Sequence, residues 1–192
     1  MSRTRLAAVF IPLLVTGTEA AFAGTPPSGG AVTTDHAAQL SQSFSELHAV
    51  SQWSVTLSEM ADKRAKSDLV KTYAHTIATA NPTLDAKVVS VAKNQGIEIA
   101  PLDPQSPESK SLNDRMKAEA VLLGSLEGDA FDKEYMTLVT NTQQSVLNLL
   151  KASKGSAKDP EVKQLMGELT TTVQSRVKTA QDIMSKIYGN QI

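Results

Sequence analysis

Asp129-Ala130-Phe131-Asp132-Lys133-Glu134-Tyr135-Met136-Thr137-Leu138-Val139-Thr140-Asn141-Thr142-Gln143-Gln144-Ser145-Val146-Leu147-Asn148-Leu149, residues 129–149, decides the fold. Phe131, Tyr135, Leu138, Thr142, Val146 and Leu149 recur at steps of three and four, which draws one stripe on a helix. Asp129 with Asp132 three residues on resembles an acidic capping box at the start, and Gly155 stops the pattern. A helix with a single apolar stripe has to bury it against other helices, so the question becomes how many partners the chain supplies.

Working outward, Asp159-Pro160-Glu161 is a cap, a proline at the first helical position and an acid in the first turn. A second stripe follows it through Val162, Leu165, Leu169, Val173, Val177, Ala180, Met184 and Ile187 to Gly189. On the other side, Ser106-Pro107-Glu108 opens a short helix carrying Leu112, Met116, Ala120 and Leu123, closed by Gly124 and Gly128. Gly96 to Gln105, with Pro101 and Pro104, loses the helical period and reads as a connector. Further back, Leu40, Phe44, Leu47, Val50, Ser54, Leu57 and Ala61 mark a first long helix, about 44 Å over residues 37–65. Val70, Tyr73, Ile77, Ala80, Leu84, Val88 and Val91 mark a second, capped by Ser67. The break at Lys66-Ser67 is short enough to require an antiparallel hairpin. Pro82 lies inside the second helix, where it removes an N–H and crowds the carbonyl of Ala78, so a bend or break is expected there, with Asn81 as a cap for a restarted half.

The expected fold is therefore all-α: a ferritin-like four-helix bundle of two hairpins, joined by a long crossover that contains one short extra helix. A plain up-down bundle with the short helix lying across one end fits the same periodicity. The N-terminus sets the remaining boundaries. Basic Met1-Ser2-Arg3-Thr4-Arg5, the ten apolar residues Leu6 to Val15 and Ala21-x-Ala23 form the three parts of a secretory signal peptide. The apolar run is half of what a spanning helix needs, roughly 20 residues. The domains expected are a signal peptide at 1–23, a flexible leader at 24–36 containing Pro26-Pro27-Ser28-Gly29-Gly30, and the bundle at 37–189. With no integral membrane segment, the mature chain is expected in the periplasm or outside the cell, cleaved after Ala23.

Composition narrows function by exclusion. There is no cysteine, which removes disulfides, thiolate metal sites and thiol nucleophiles together. Cleavage removes Arg3, Arg5 and Glu19, leaving 17 basic and 19 acidic residues and a net charge of −2. Such a balance carries no footprint for nucleic acid and no basic cluster for an anionic membrane.

Gly128-Asp129-Ala130-Phe131-Asp132-Lys133-Glu134-Tyr135, with Ser67-x-x-Val70-Lys71-x-Tyr73-Ala74 and Asp159-Pro160-Glu161-Val162-Lys163, resembles a family of exported bacterial ferritin-like domains of unknown function. Its members are often labelled outer membrane proteins. The resemblance spans residues 40–187, and the Gly-x-x-Phe-Asp-x-x-Tyr element is its specific part. Family members carry an Asp-His pair in the second helix, where this chain has Ala80-Asn81, then a histidine about eight residues after the tyrosine, where it has Gln143. A third family histidine falls at Arg176 in the last helix. The chain is thus a histidine-depleted relative, and the resemblance implies no metal or proton-transfer role for it.

The residues agree. A di-iron bundle needs Glu-x-x-His on two helices, and no such motif occurs. His36 lies near the leader, while His48 and His75 lie off the apolar stripes without acidic neighbours three or four residues away. No Gly-x-Ser-x-Gly or Ser-x-x-Lys arrangement with a plausible base appears, and a phosphate-cradling glycine loop is missing. No catalytic residue, metal ligand or cofactor is expected. The reading is a non-enzymatic exported module acting on an envelope protein or on itself. The alternative is a small-molecule or metal binder with a pocket between the helices, for which Tyr73, Phe131, Asp132 and Tyr135 are the candidate residues. A cavity of several hundred Å³ with convergent polar groups would favour that alternative.

Overall fold

The structure, a computed structural model, describes residues 31–103 and 105–189. The signal peptide expected at 1–23 and the leader up to residue 30 lie outside them. All elements among the described residues are helices: α1 (Ala31–Arg64), α2 (Asp68–Asn94), α3 (Pro107–Ser125), α4 (Gly128–Ser156) and α5 (Pro160–Tyr188). α1 starts at Ala31, ahead of the periodic pattern that begins near Ala37.

Hydrogen bonds between helices fix the direction of each. At one end of the bundle, Asp132 at the start of α4 accepts from the backbone N–H groups of Lys66 and Ser67 in the α1–α2 turn. At the other, Asn94 and Gln95 at the end of α2 donate to the Glu161 carboxylate at the start of α5. α1 packs on α2 and α4, and α5 packs on α4 and α2. The order is up, down, down, up, with every packed pair of long helices antiparallel, so the macrodipoles of neighbours oppose. A plain up-down bundle would start α4 at the opposite end and is ruled out.

The crossover climbs along α1. Ser41 donates to the carbonyl of Glu98, and Ser45 accepts from the N–H of Ala100, low on that helix. At the top, Arg64 donates to the carbonyls of Gly124 and Leu126, and its guanidinium lies 5.3 Å from the centre of the Phe131 ring. These bonds satisfy carbonyls that the end of α3 leaves free.

Local signals behave unequally. Ser106 accepts from the N–H of Ser109, and Asp159 accepts from those of Glu161 and Val162, each ahead of a proline at the first helical position. Ser67 occupies the cap position of α2 but makes no side-chain cap bond. Asp132, expected to cap its own helix, faces the α1–α2 turn instead. The break expected at Pro82 does not occur, since α2 is continuous from Asp68 to Asn94. Pro82 sits on the exposed side, while Asn81 is buried and serves as an acceptor for another helix rather than as a cap. Packing of both flanks holds the helix through the defect.

Candidate functional site

The apolar core is not one block. The upper part is centred on Leu57, Ile77, Phe131, Tyr135 and Ile183, the lower on Phe44, Val88, Leu150, Val162 and Leu169. Between them lie Asn81 from α2, Thr142 and Gln143 from α4 and Arg176 from α5, a polar layer that uses both hairpins. Asn81, Thr142 and Gln143 are buried and Arg176 is half-buried. Arg176 Nη1 donates to Asn81 Oδ1 at 2.6 Å. Gln143 Nε2 donates to the Tyr73 hydroxyl at 3.5 Å, and that hydroxyl donates to the backbone carbonyl of Arg176 at 3.3 Å.

The layer faces a cleft of about 70 Å³. Asn81, Ser54, Thr142, Gln143 and Arg176 line one part of it. Leu47, Val88, Leu150, Leu169 and Val173, further down the same helices, line the other. Asp85 sits at the side, one turn along from Asn81, and its Oδ1 is 2.8 Å from His48 Nδ1. Gln52 engages the other ring nitrogen of His48 at 3.0 Å. The cavity is smaller than the several hundred Å³ of a drug-sized site, yet its polar groups converge.

The four residues singled out from the sequence stand elsewhere. Phe131 is fully buried in the upper core below Arg64. Asp132, also fully buried, is spent on the two N–H groups of the turn. Tyr135 shares a 2.9 Å hydrogen bond with the fully buried Ser58, and Tyr73 closes the space above Gln143 and Arg176. None of the four lines the cleft, which begins about two turns further along α2 and α4.

Electrostatically the layer is cationic. Burial pushes the Tyr73 phenol up to about 12, opposed by the nearby Arg176 charge. Tyr135 is pushed above the ordinary tyrosine range, chiefly by burial. Burial lowers the Arg176 pKa, partly offset by the two phenols. Among the described residues no carboxylate lies within ion-pair distance of Arg176. The same residues contain no group of three or more histidine, aspartate or glutamate side chains placed to hold a metal. His75 is exposed and 3.5 Å from Asp62.

Residues 25–183 match the model of a domain of unknown function, DUF4142. The chain belongs to the DUF4142 family. No curated protein matches it. Among solved structures it is similar to a DUF305 fragment from Deinococcus radiodurans, with a TM-score of 0.66 and 17% identity over 78% of this chain and 97% of that one. It is also similar to a DUF305 protein from Streptomyces coelicolor described as secreted, with a TM-score of 0.62 and 17% identity over 79% and 93%. CopM, solved apo and with silver bound, superposes with a TM-score of 0.60 and 14% identity over 78% and 98%. At these identities the likeness is one of fold. No helix among the described residues is long and apolar enough to cross a membrane.

Proposed function

We propose that this DUF4142 protein is an exported, non-enzymatic bundle that works by holding a small ligand in the cleft between its four long helices. One observation carries the reading: Asn81, Gln143 and Arg176, far apart in the chain, meet at the one level where the core changes from apolar to polar. Polar side chains in a core cost stability unless they are fully satisfied, so a layer left with spare donors suits recognition better than folding. Export rests on the signal-peptide pattern of residues 1–23 and is supported by a DUF305 neighbour described as secreted. The ferritin-like kinship inferred from the sequence is supported by the up, down, down, up order.

The silver seen in CopM is not carried over. A guanidinium at 4 Å repels a unit positive charge by about 4 kcal/mol at an effective dielectric of about 20, and the other side chains of the layer are amides and hydroxyls rather than soft or anionic ligands. The test is NMR of the side-chain amides of Asn81 and Gln143 during titration with a panel of small organic molecules. Shifts of both that Val173→Phe abolishes support a cleft site. Perturbations confined to the surface would move the function elsewhere.

A second reading, contact with an envelope protein or self-association, is favoured by adjacent Val121 and Leu122 on α3, 75% and 45% exposed. Sedimentation of the wild type against Val121→Glu/Leu122→Glu tests it: an assembly lost in the double variant supports the surface reading.

A further inference from the structure

Resting on the cleft reading above, we infer that the occupant is a small aliphatic monocarboxylate, its carboxylate at Arg176 and Gln143 and its chain along Val88, Leu169 and Val173. Four observations lead there. Arg176 is a half-buried cation that donates to one amide oxygen, and a guanidinium has five N–H donors in a fork that matches a carboxylate. The side chain lines the cavity and none of its nitrogens is sealed without a partner, so a ligand entering that space comes within reach of the guanidinium. Burial already penalises its charge, and an anion alongside would relieve that penalty. Gln143 Nε2 makes only a long 3.5 Å bond to Tyr73, which leaves the amide free to donate to a better acceptor.

Size and sign narrow the class. At about 10–15 Å³ for each water-sized occupant, a cavity of about 70 Å³ takes roughly five to seven non-hydrogen atoms. That is a carboxylate with two to four further carbons. Leu47, Val88, Leu150, Leu169 and Val173 make the bottom of the cavity apolar, with Ser51 and Asp85 at its side, so a plain hydrocarbon chain suits it better than one with a second polar group at its end. Asp85 on the side wall, held by His48, repels a second negative charge, which disfavours dicarboxylates and phosphate dianions.

The experiment is calorimetric titration of the full mature protein with pentanoate, 1-pentanol, succinate and inorganic phosphate, with shifts of the Asn81 and Gln143 side-chain amides as the site readout. Saturable pentanoate binding is expected, with 1-pentanol and succinate weaker by about tenfold or more. Arg176→Met is expected to weaken pentanoate by about tenfold to a hundredfold while leaving 1-pentanol unchanged. Val173→Phe should block both, and circular dichroism reports whether each variant is folded. Equal binding of pentanoate and 1-pentanol, unaltered in Arg176→Met, overturns the carboxylate assignment and leaves the cleft reading standing. Phosphate or succinate binding as tightly as pentanoate also overturns it, in favour of an unselective anion site. Binding by none of the four, with the amides of Asn81 and Gln143 unmoved, overturns the carboxylate assignment, and the cleft reading then falls only if the broader panel also leaves them unmoved.

Discussion

Arg176 Nη1 on α5 and Asn81 Oδ1 on α2 stand 2.6 Å apart across an antiparallel helix pair, with no carboxylate among the described residues sharing the guanidinium. A charge held by one neutral amide in a half-buried layer is a poor contributor to folding, because its desolvation is only partly repaid. The lone pair of positions therefore makes opposite predictions for stability and for binding.

Arg176→Met alone is expected to lower stability by about 1 kcal/mol, since it leaves the buried Asn81 oxygen without its donor. Asn81→Leu/Arg176→Met should recover that loss or exceed wild-type stability, because it replaces the pair by packed apolar groups. Urea unfolding of the four members of the cycle measures it. A double variant less stable than both singles would make the pair a structural clamp.

Asp132 joins α4 to the α1–α2 turn through two short bonds, 2.9 Å from Lys66 N and 2.7 Å from Ser67 N. Asp132→Asn keeps one acceptor oxygen and turns an N–H₂ toward the second N–H, so a loss of about 2–4 kcal/mol is expected. Asp129, exposed and paired with the Lys66 ammonium, gives the contrast. Exposed ion pairs contribute little, so Asp129→Ala should leave the unfolding midpoint where it was. Equal midpoints for the two variants would remove the tertiary role given to Asp132.

All three tyrosines resist ionisation. Burial pushes Tyr73 and Tyr188 up to about 12 and Tyr135 further, against an ordinary value of 10. Below pH 10 the folded and unfolded chains carry the same phenolic protons, so these groups add no pH dependence. Above pH 10 the unfolded chain releases protons that the folded one retains, and stability falls as pH rises toward 12. Absorbance of phenolate against pH should show no transition near 10 in the folded protein, and ionisation should coincide with loss of helix by circular dichroism. A reversible midpoint at 10 for two or more phenols without unfolding would contradict the burial of this layer.

The helices and the hairpin turns were legible because the stripes of the long helices repeat over about five to seven turns and the starts of α3 and α5 carry a cap and a proline, whereas their up, down, down, up order needed the contacts between helices. The cleft was not legible for a related reason. Asn81, Gln143 and Arg176 lie 62 and 33 residues apart in the chain, and no local pattern links them. Matching them to family histidines marked them as lost chemistry, whereas side by side they form a different chemistry. Asp132 shows the same limit: three residues after Asp129 it reads as a capping box, and only the position of the α1–α2 turn reveals what it holds.

Pro82 gives the last prediction, because the break that the sequence allowed there does not occur. The ring removes the N–H that would bond the carbonyl of Ala78, and in an isolated helix this costs about 3 kcal/mol. Yet α2 runs through it, with Ile77 and Asn81 buried on the core side and Pro82 exposed on the other. Packing therefore holds the helix against its own sequence, and the defect is retained in the folded state. Pro82→Ala restores the donor, touches no core contact and leaves Asn81 opposite Arg176. It should raise stability by about 1–3 kcal/mol, less than the full propensity difference because proline also restricts the unfolded chain. Urea unfolding measures the gain, and hydrogen exchange at Asn81, Thr83 and Leu84 locates it. An unchanged midpoint with unchanged protection there would mean that the missing bond is already replaced, and that the helix bears no strain at Pro82.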